Sequence, residues 1–107
     1  ICGQVHDEVR TYKTALKKAV RLYGSRSPAL AALYTDTAEA QLRSGDKDGA
    51  ESSLNKSVAI LEVSGSSSQM KDALLKLANI VRELGRAREA DDLQSRAAAI
   101  KEASTSN

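Results

Sequence analysis

The stretch LANIVRELGRAREA, from Leu77 to Ala90, decides the fold of this 107-residue chain. Apolar residues recur in its first half at spacings of three and four, which lines one face of a helix. Gly85 then supplies the left-handed residue that often closes a helix, and a second helical segment begins directly after it. The stretch therefore predicts two helices joined by a tight turn.

Similar turn signals divide the whole chain into five helical segments, with breaks at 24–27, 44–45, 65–68 and 85. Ser27 and Pro28 are typical of a helix start, and Asp46 can cap the helix that follows Gly45. No segment alternates with period two, so we expect no strand. The predicted packing positions are Val5, Val9, Tyr12, Leu16, Ala19 and Tyr23; Leu30, Leu33, Tyr34, Thr37, Ala38, Gln41 and Leu42; Ala50, Leu54, Val58 and Leu61; Met70, Ala73, Leu74, Leu77, Ala78, Val81 and Leu84; and Ala90, Leu93, Ala97 and Ile100.

The chain contains an internal repeat with a period of 40 residues, which appears when Gly45 is aligned with Gly85. Alanines recur at this period before and after the glycine: Ala38 with Ala78, and Ala50 with Ala90. Small residues are expected there because the two helices of a hairpin approach most closely at these positions. The period predicts a repeat protein built from helical hairpins.

The order of small residues resembles the tetratricopeptide repeat. It reads Ala78, Gly85, Ala90 and Ala97 in one repeat, and Ala38, Gly45, Ala50 and Ser57 in the other, which departs at its last position. The period exceeds the roughly 34 residues of the standard repeat and is similar to that of the kinesin light chain subclass. The tract YKTALKKAVRLYGSRSP, from Tyr12 to Pro28, also resembles the second helix and following loop of a light chain repeat.

This resemblance implies an all-α fold in which antiparallel hairpins stack as a right-handed superhelix of five helices and about two and a half repeats. We expect one domain over 1–107. Within it, 1–26 is the orphan second helix of a truncated repeat, 27–64 and 65–104 are repeats, and 105–107 is a frayed tail. The start at Ile1 favours a piece of a longer protein.

The resemblance also implies where a partner binds, because first helices line the inner, concave face of such a stack. We therefore predict a non-catalytic protein–protein interaction module that binds a peptide or a helix of a partner there. The mixed charges argue against a dedicated carboxylate clamp, and the asparagines of light chain repeats are missing from 34–38 and 74–78. The predicted partner-binding residues are Thr35, Asp36, Glu39, Arg43, Leu75, Lys76, Asn79, Arg82 and Glu83.

Catalysis and metal binding find little support in the composition. His6 and Cys2 are the only residues of their types, so the chain cannot assemble a histidine-based triad or a Cys/His metal cluster. No glycine is followed by the Lys-Ser/Thr of a phosphate loop. The adjacent acids Asp91 and Asp92 point about 100° apart on a helix, which disfavours shared chelation. We predict no enzyme activity, no cofactor and no metal.

Charge is mild overall at +2, but residues 1–26 hold six basic and two acidic residues. A basic face on the first helix comprises Arg10, Lys13, Lys17 and Arg21. It offers an alternative site for RNA, an anionic surface or an acidic partner. Nucleic acid is disfavoured because no aromatic residue interleaves with these cations. A solvated outer face is the simplest interpretation.

The sequence is also compatible with a regulatory role or with self-association. The array can be a regulatory segment of a larger enzyme or motor complex, or it can form a homodimer through its exposed ends. Serines between 64 and 68 can accept phosphate or form a flexible connector. The lone Cys2 and the lack of an apolar run of about 18 residues predict an intracellular, cytoplasmic protein without a membrane span.

Overall fold

A computed structural model describes residues 2–64 and 67–100, with side chains for residues 8–63 and 67–100. All regular structure within these residues is helical, which confirms the predicted all-α class. The five helices described are α1 (Cys2–Tyr23), α2 (Pro28–Arg43), α3 (Lys47–Ser64), α4 (Ser67–Glu83) and α5 (Ala87–Ala99). The right-handed superhelical stacking stays a prediction. Outside the described residues fall the side chains of Cys2, Val5, His6 and Ser64, the connector at 65–66, and the tail from 101 onward.

In the first hairpin, which consists of α2 and α3, the helices begin as the sequence predicts. Ser27 Oγ accepts a hydrogen bond from the Ala29 N–H at 3.3 Å, and Pro28 is the first helical residue of α2. Asp46 Oδ1 accepts the Gly49 N–H at 2.9 Å and so caps α3. These side chains satisfy backbone donors that have no partner inside the helix.

The starts of α4 and α5 differ from the predicted pattern of breaks and capping residues. The predicted break extends through Ser68, whereas α4 already begins at Ser67. Serine fits this position because the first turn of a helix leaves backbone donors available to short polar side chains. At the start of α5, Arg86 makes no capping bond; its guanidinium binds the carboxylates of Glu89, at 2.7 Å, and Glu51 on α3.

Each helix packs against the next one along the chain, and the hairpins are antiparallel. Gln41 near the end of α2 contacts Ser53 early in α3, whereas Ala31 near the start of α2 contacts Ser57 further along. Ion pairs then join alternate helices: Glu39 of α2 with Lys76 of α4, and α3 with α5 at both ends. The result is two layers, one of α2 and α4 and one of α1, α3 and α5. The shortest dimension, 19 Å, matches two helices of about 10 Å each.

The core consists of small and branched aliphatic side chains between the two layers. Repeat alanines Ala38, Ala78, Ala50 and Ala90 are all fully buried, as close helix packing requires. Other buried apolar residues are Leu30, Ala31, Ala40, Leu54, Val58, Ile60, Leu61, Ala73, Leu74, Leu77, Ile80, Val81, Leu93 and Ala97. The prediction for Tyr23 is wrong: it is 62% exposed because it ends α1, beyond the Leu16 and Ala19 positions that pack on the core.

Polar contacts inside the first hairpin accompany this apolar core. Ser53 Oγ donates to Gln41 Oε1 at 2.6 Å, and Ser57 Oγ donates to the Ala31 carbonyl at 2.9 Å. The hydroxyl of Thr35 lies 2.9 Å from that of Ser57. Buried polar groups are tolerated when they are hydrogen-bonded in this way.

The second hairpin replaces both polar pairs with apolar ones. At a period of 40, Gln41 and Ser53 correspond to Val81 and Leu93, which are buried. Thr35 and Ser57 likewise correspond to Leu75 and Ala97. Each polar pair of the first hairpin therefore corresponds to two apolar residues in the second hairpin.

Candidate functional site

The predicted partner-binding residues Asp36, Glu39, Lys76 and Asn79 lie along α2 and α4, on a face that we call the first-helix surface. Lys76 Nζ of α4 contacts Glu39 Oε1 of α2 at 3.0 Å, so the structure brings the two helices together here. The same ammonium lies 3.2 Å from Asp72 Oδ2. Lys76 is therefore a cross-link between repeats as well as a surface cation.

Burial and pairing act in opposite directions on Lys76. Partial burial by itself lowers the pKa of this lysine, but the hydrogen bonds to Glu39 and Asp72 outweigh it and raise the pKa above its usual value. The ammonium thus stays charged throughout the physiological range. Contacts with Glu39 on α2 and Asp72 on α4 hold the ammonium in place.

A cavity of about 170 Å³ opens between α2 and α4 beside this ion pair. Its base is formed by Thr35 and Ser57, which are hydrogen-bonded to each other. Asp36, Asp72 and Gln69 contribute to its walls. The charged residues that line the cavity are two acids, Asp36 and Asp72, and one base, Lys76; alanines and Leu61 supply apolar surface.

Three other predicted residues are engaged in contacts with neighbouring helices. Arg43 binds Glu8 of α1, whose hydrogen bond raises the pKa of the guanidinium. Arg82 donates to Asp91 Oδ1 of α5 at 2.9 Å. Glu83 Oε1 lies 3.4 Å from Lys47 Nζ of α3. These side chains link helices at the edges of the first-helix surface.

The remaining predicted residues differ in exposure. Thr35 is half-buried because its hydroxyl bonds the Ala31 carbonyl and faces Ser57. Asp36 and Asn79 are exposed, and Leu75 is 39% exposed. Asp36, Leu75 and Asn79 thus remain accessible to a partner.

A second concave region lies between α1 and α3, above α2; we call it the α1–α3 groove. Lys13 and Lys17 of the predicted basic face line a cavity of about 350 Å³ there, together with Leu16. Lys56 of α3 lines the same cavity and was missed by sequence reasoning, because no pattern in α3 marks a single lysine as part of a site. Arg10 and Arg21 are exposed and do not line this cavity.

The groove continues into a second cavity of about 400 Å³, lined by Arg26, Ile60 and Val63. Tyr34 and Lys56 line both cavities, so the two are contiguous. Lys56 Nζ lies 5.6 Å from the centre of the Tyr34 ring, within the range of a cation–π contact. Lys13 and Lys17 thus lie at one end of the groove, and Ile60 and Val63 lie at the other beside Arg26.

The described part of the chain carries neither a metal cluster nor a membrane span. There, no group of three His, Cys, Asp or Glu side chains is placed to hold a metal ion. No helix within the described ranges combines the length and apolarity needed to cross a bilayer.

Comparison of the chain with protein-family models gave no match, and comparisons with curated proteins and with solved structures gave none either. The tetratricopeptide resemblance and its light chain subclass therefore stay predictions from the sequence.

Proposed function

We propose that this chain is a non-catalytic protein-interaction module, of tetratricopeptide type, that binds a mixed-charge peptide on the first-helix surface. The observation that carries the proposal is the Glu39–Lys76 pair, which joins α2 and α4 beside a cavity that two carboxylates line. In a right-handed superhelical stack this surface is the concave one. A cytoplasmic location remains part of the same hypothesis.

The chemistry of the cavity favours a basic residue in the bound peptide. Asp36 is exposed at its rim, and Asp72 lies on the facing helix. The one lysine in the cavity is already bound to Glu39 and Asp72. A lysine or arginine of a peptide therefore meets carboxylate oxygens on two sides, and charge-assisted hydrogen bonds to such groups are strong.

Neighbouring groups supply contacts for the rest of the peptide. Asn79, exposed on α4, presents an amide that can donate and accept hydrogen bonds along a backbone. Leu75, 39% exposed on α4, offers a small apolar contact. Because Lys76 and Glu39 fix the helix spacing before binding, little ordering cost is added when the peptide arrives.

A peptide-display selection against the described array tests this proposal. We expect selected peptides to share a basic residue and to lose about tenfold or more in affinity when Asp36→Lys reverses the charge at the cavity rim. Asn79→Ala should weaken binding without changing the preference for a basic residue. Affinities are measured by isothermal titration calorimetry.

Asp92→Lys is the matched control, because it makes the same charge change at an exposed position on α5. Circular dichroism must show equal helicity for the two variants. The proposal fails if the selection yields no binder, or if Asp92→Lys weakens the selected peptides as much as Asp36→Lys does.

A further inference from the structure

The α1–α3 groove combines three features that the first-helix surface lacks. Lys13 and Lys17 of α1 and Lys56 of α3 line one cavity, so three basic residues from two helices border it. The cavities in the groove are larger, about 350 and 400 Å³ against about 170 Å³. Its far end offers the apolar side chains of Ile60 and Val63 beside the cation of Arg26.

The lysines of the groove are not neutralised within the described part of the chain. No salt bridge there joins Lys13, Lys17 or Lys56 to a carboxylate, whereas eight other pairs of opposite charge are formed. Near the Gly49 end, Asp46 caps the Gly49 N–H and Glu51 binds Arg86, whereas Asp48 is exposed and lines a neighbouring cavity with Lys56. Lysines still outnumber acids among the residues that line the groove. The groove therefore presents a positive field that attracts an anionic partner.

The floor of the groove is recessed and partly apolar. Ile60 is only 7% exposed and Tyr34 is half-buried, whereas Val63 at the end of the groove is 71% exposed. Tyr34 lies where the two cavities meet, so an occupant of either cavity can contact it. Burying this apolar surface against a partner is favourable because it removes it from water.

We propose that the α1–α3 groove is a docking site for an acidic amphipathic helix of a partner protein. Carboxylates on the flanks of that helix bind Lys13, Lys17 and Lys56, and its apolar stripe packs on Tyr34, Ile60 and Val63. Along α3 the groove extends from Gly49 to Val63, about 21 Å at 1.5 Å per residue, which corresponds to a docked helix of about 14 residues. Such helix-in-groove recognition uses anchors spaced three and four residues apart.

The groove favours a helix over the other anionic partners. A flat lipid surface cannot reach Ile60, which is nearly covered. RNA binds through phosphates and stacking on exposed aromatic faces, but the Tyr34 ring already carries Lys56 and is half-buried. A protein helix alone supplies both carboxylates and aliphatic side chains to one narrow surface.

A designed peptide tests the proposal directly. The probe is a fluorescein-labelled helix of about 14 residues, with leucines every third or fourth position and glutamates on both flanks. We expect the wild-type array to bind it, and the triple variant K13E/K17E/K56E to weaken binding about tenfold or more by fluorescence anisotropy. Val63→Asp, at an exposed position that leaves the core intact, should weaken binding as well.

The control is the triple variant K18E/K71E/R88E, which changes the net charge equally but lies outside the cavities of the groove. A second probe with glutamine in place of glutamate should bind weakly to the wild type. The Asp36→Lys variant should bind the acidic helix as tightly as the wild type does. The groove proposal and the first-helix-surface proposal are therefore tested independently.

Three results would overturn the proposal. The first is failure of the wild type to bind the acidic helix, and the second is an equal loss in both triple variants, which would indicate attraction by net charge alone. The third is tighter binding of an oligouridine RNA, or of vesicles containing phosphatidylserine, than of the helix through the same three lysines.

Discussion

A Gly49→Ala substitution in the first turn of α3 tests how closely Asp46 and Gln41 pack there. It has two opposing effects on the free energy of unfolding. Replacing a helical glycine with alanine normally stabilises a protein by about 0.5–1 kcal/mol, since glycine loses more backbone freedom on folding. At Gly49, however, a Cβ atom would lie 2.2 Å from Asp46 Oδ2 and 2.8 Å from Gln41 Nε2. Both side chains must move to admit it.

The cost of these movements exceeds the gain. Rotation of Asp46 away from the new methyl group removes the bond to the Gly49 N–H, and loss of such a cap costs about 1 kcal/mol. Gln41 is only 5% exposed and accepts a bond from Ser53, so its displacement threatens a buried polar pair worth about 1–3 kcal/mol. We expect Gly49→Ala to destabilise the protein by a net of about 1–3 kcal/mol.

Urea unfolding followed by circular dichroism at 222 nm measures this difference. The melting temperature should fall by about 4–8 °C for each kcal/mol lost. In an Asp46→Gly background the cap and its clash are already gone, so Gly49→Ala should cost about 1 kcal/mol less there. A Gly49→Ala protein at least as stable as the wild type would refute the reasoning.

Three further predictions concern stability. Gly85→Ala should cost about 1–2 kcal/mol in thermal unfolding, because Gly85 has φ +87° although nothing lies within 4 Å of an added Cβ; an unchanged melting temperature would contradict this. Ser57→Ala should lower the free energy of unfolding, measured with urea, by no more than about 0.5 kcal/mol, because the Ala31 carbonyl keeps its other hydrogen bonds; a loss above about 1.5 kcal/mol would show that the polar pair is essential. The hydrogen bond from Arg86 lowers the pKa of Glu89, so the ionised carboxylate adds stability above the usual glutamate value near 4.3 and loses it as the pH falls through the lowered pKa. Thermal melts between about pH 5 and pH 2 should therefore show a shallower decline for Glu89→Gln than for the wild type, and parallel curves would argue against the pair.

The helices and turns of this chain were predictable because their signals are local. Ser27-Pro28, Asp46 and the glycines at 45 and 85 each act within a few residues, and the structure places helix ends at all of them. The apolar periodicity also located most of the core. It failed for Tyr23, because whether a helix end is covered depends on neighbouring helices and not on the spacing within the helix itself.

The candidate sites were less accessible to sequence reasoning. Ser53 falls outside the predicted packing positions, and Ser57 departs from the repeat's alanine, yet both are buried because polar groups on α2 bind their hydroxyls. Lys56 becomes part of a groove only when α1 and α3 lie side by side on α2. Ion pairs such as Glu39–Lys76 join residues 37 positions apart, which no local pattern connects.

The polar pairs of the first hairpin bear on how the chain avoids misfolding. Proteins with similar repeats are prone to exchange equivalent elements during folding. If α2 docked onto α5 instead of α3, the Gln41 amide would face Leu93, the counterpart of Ser53, and lose its hydrogen-bonding partner. The matched polar and apolar pairs thus discriminate against swapped hairpins. In two repeats of similar geometry, each first helix is complementary to its own second helix.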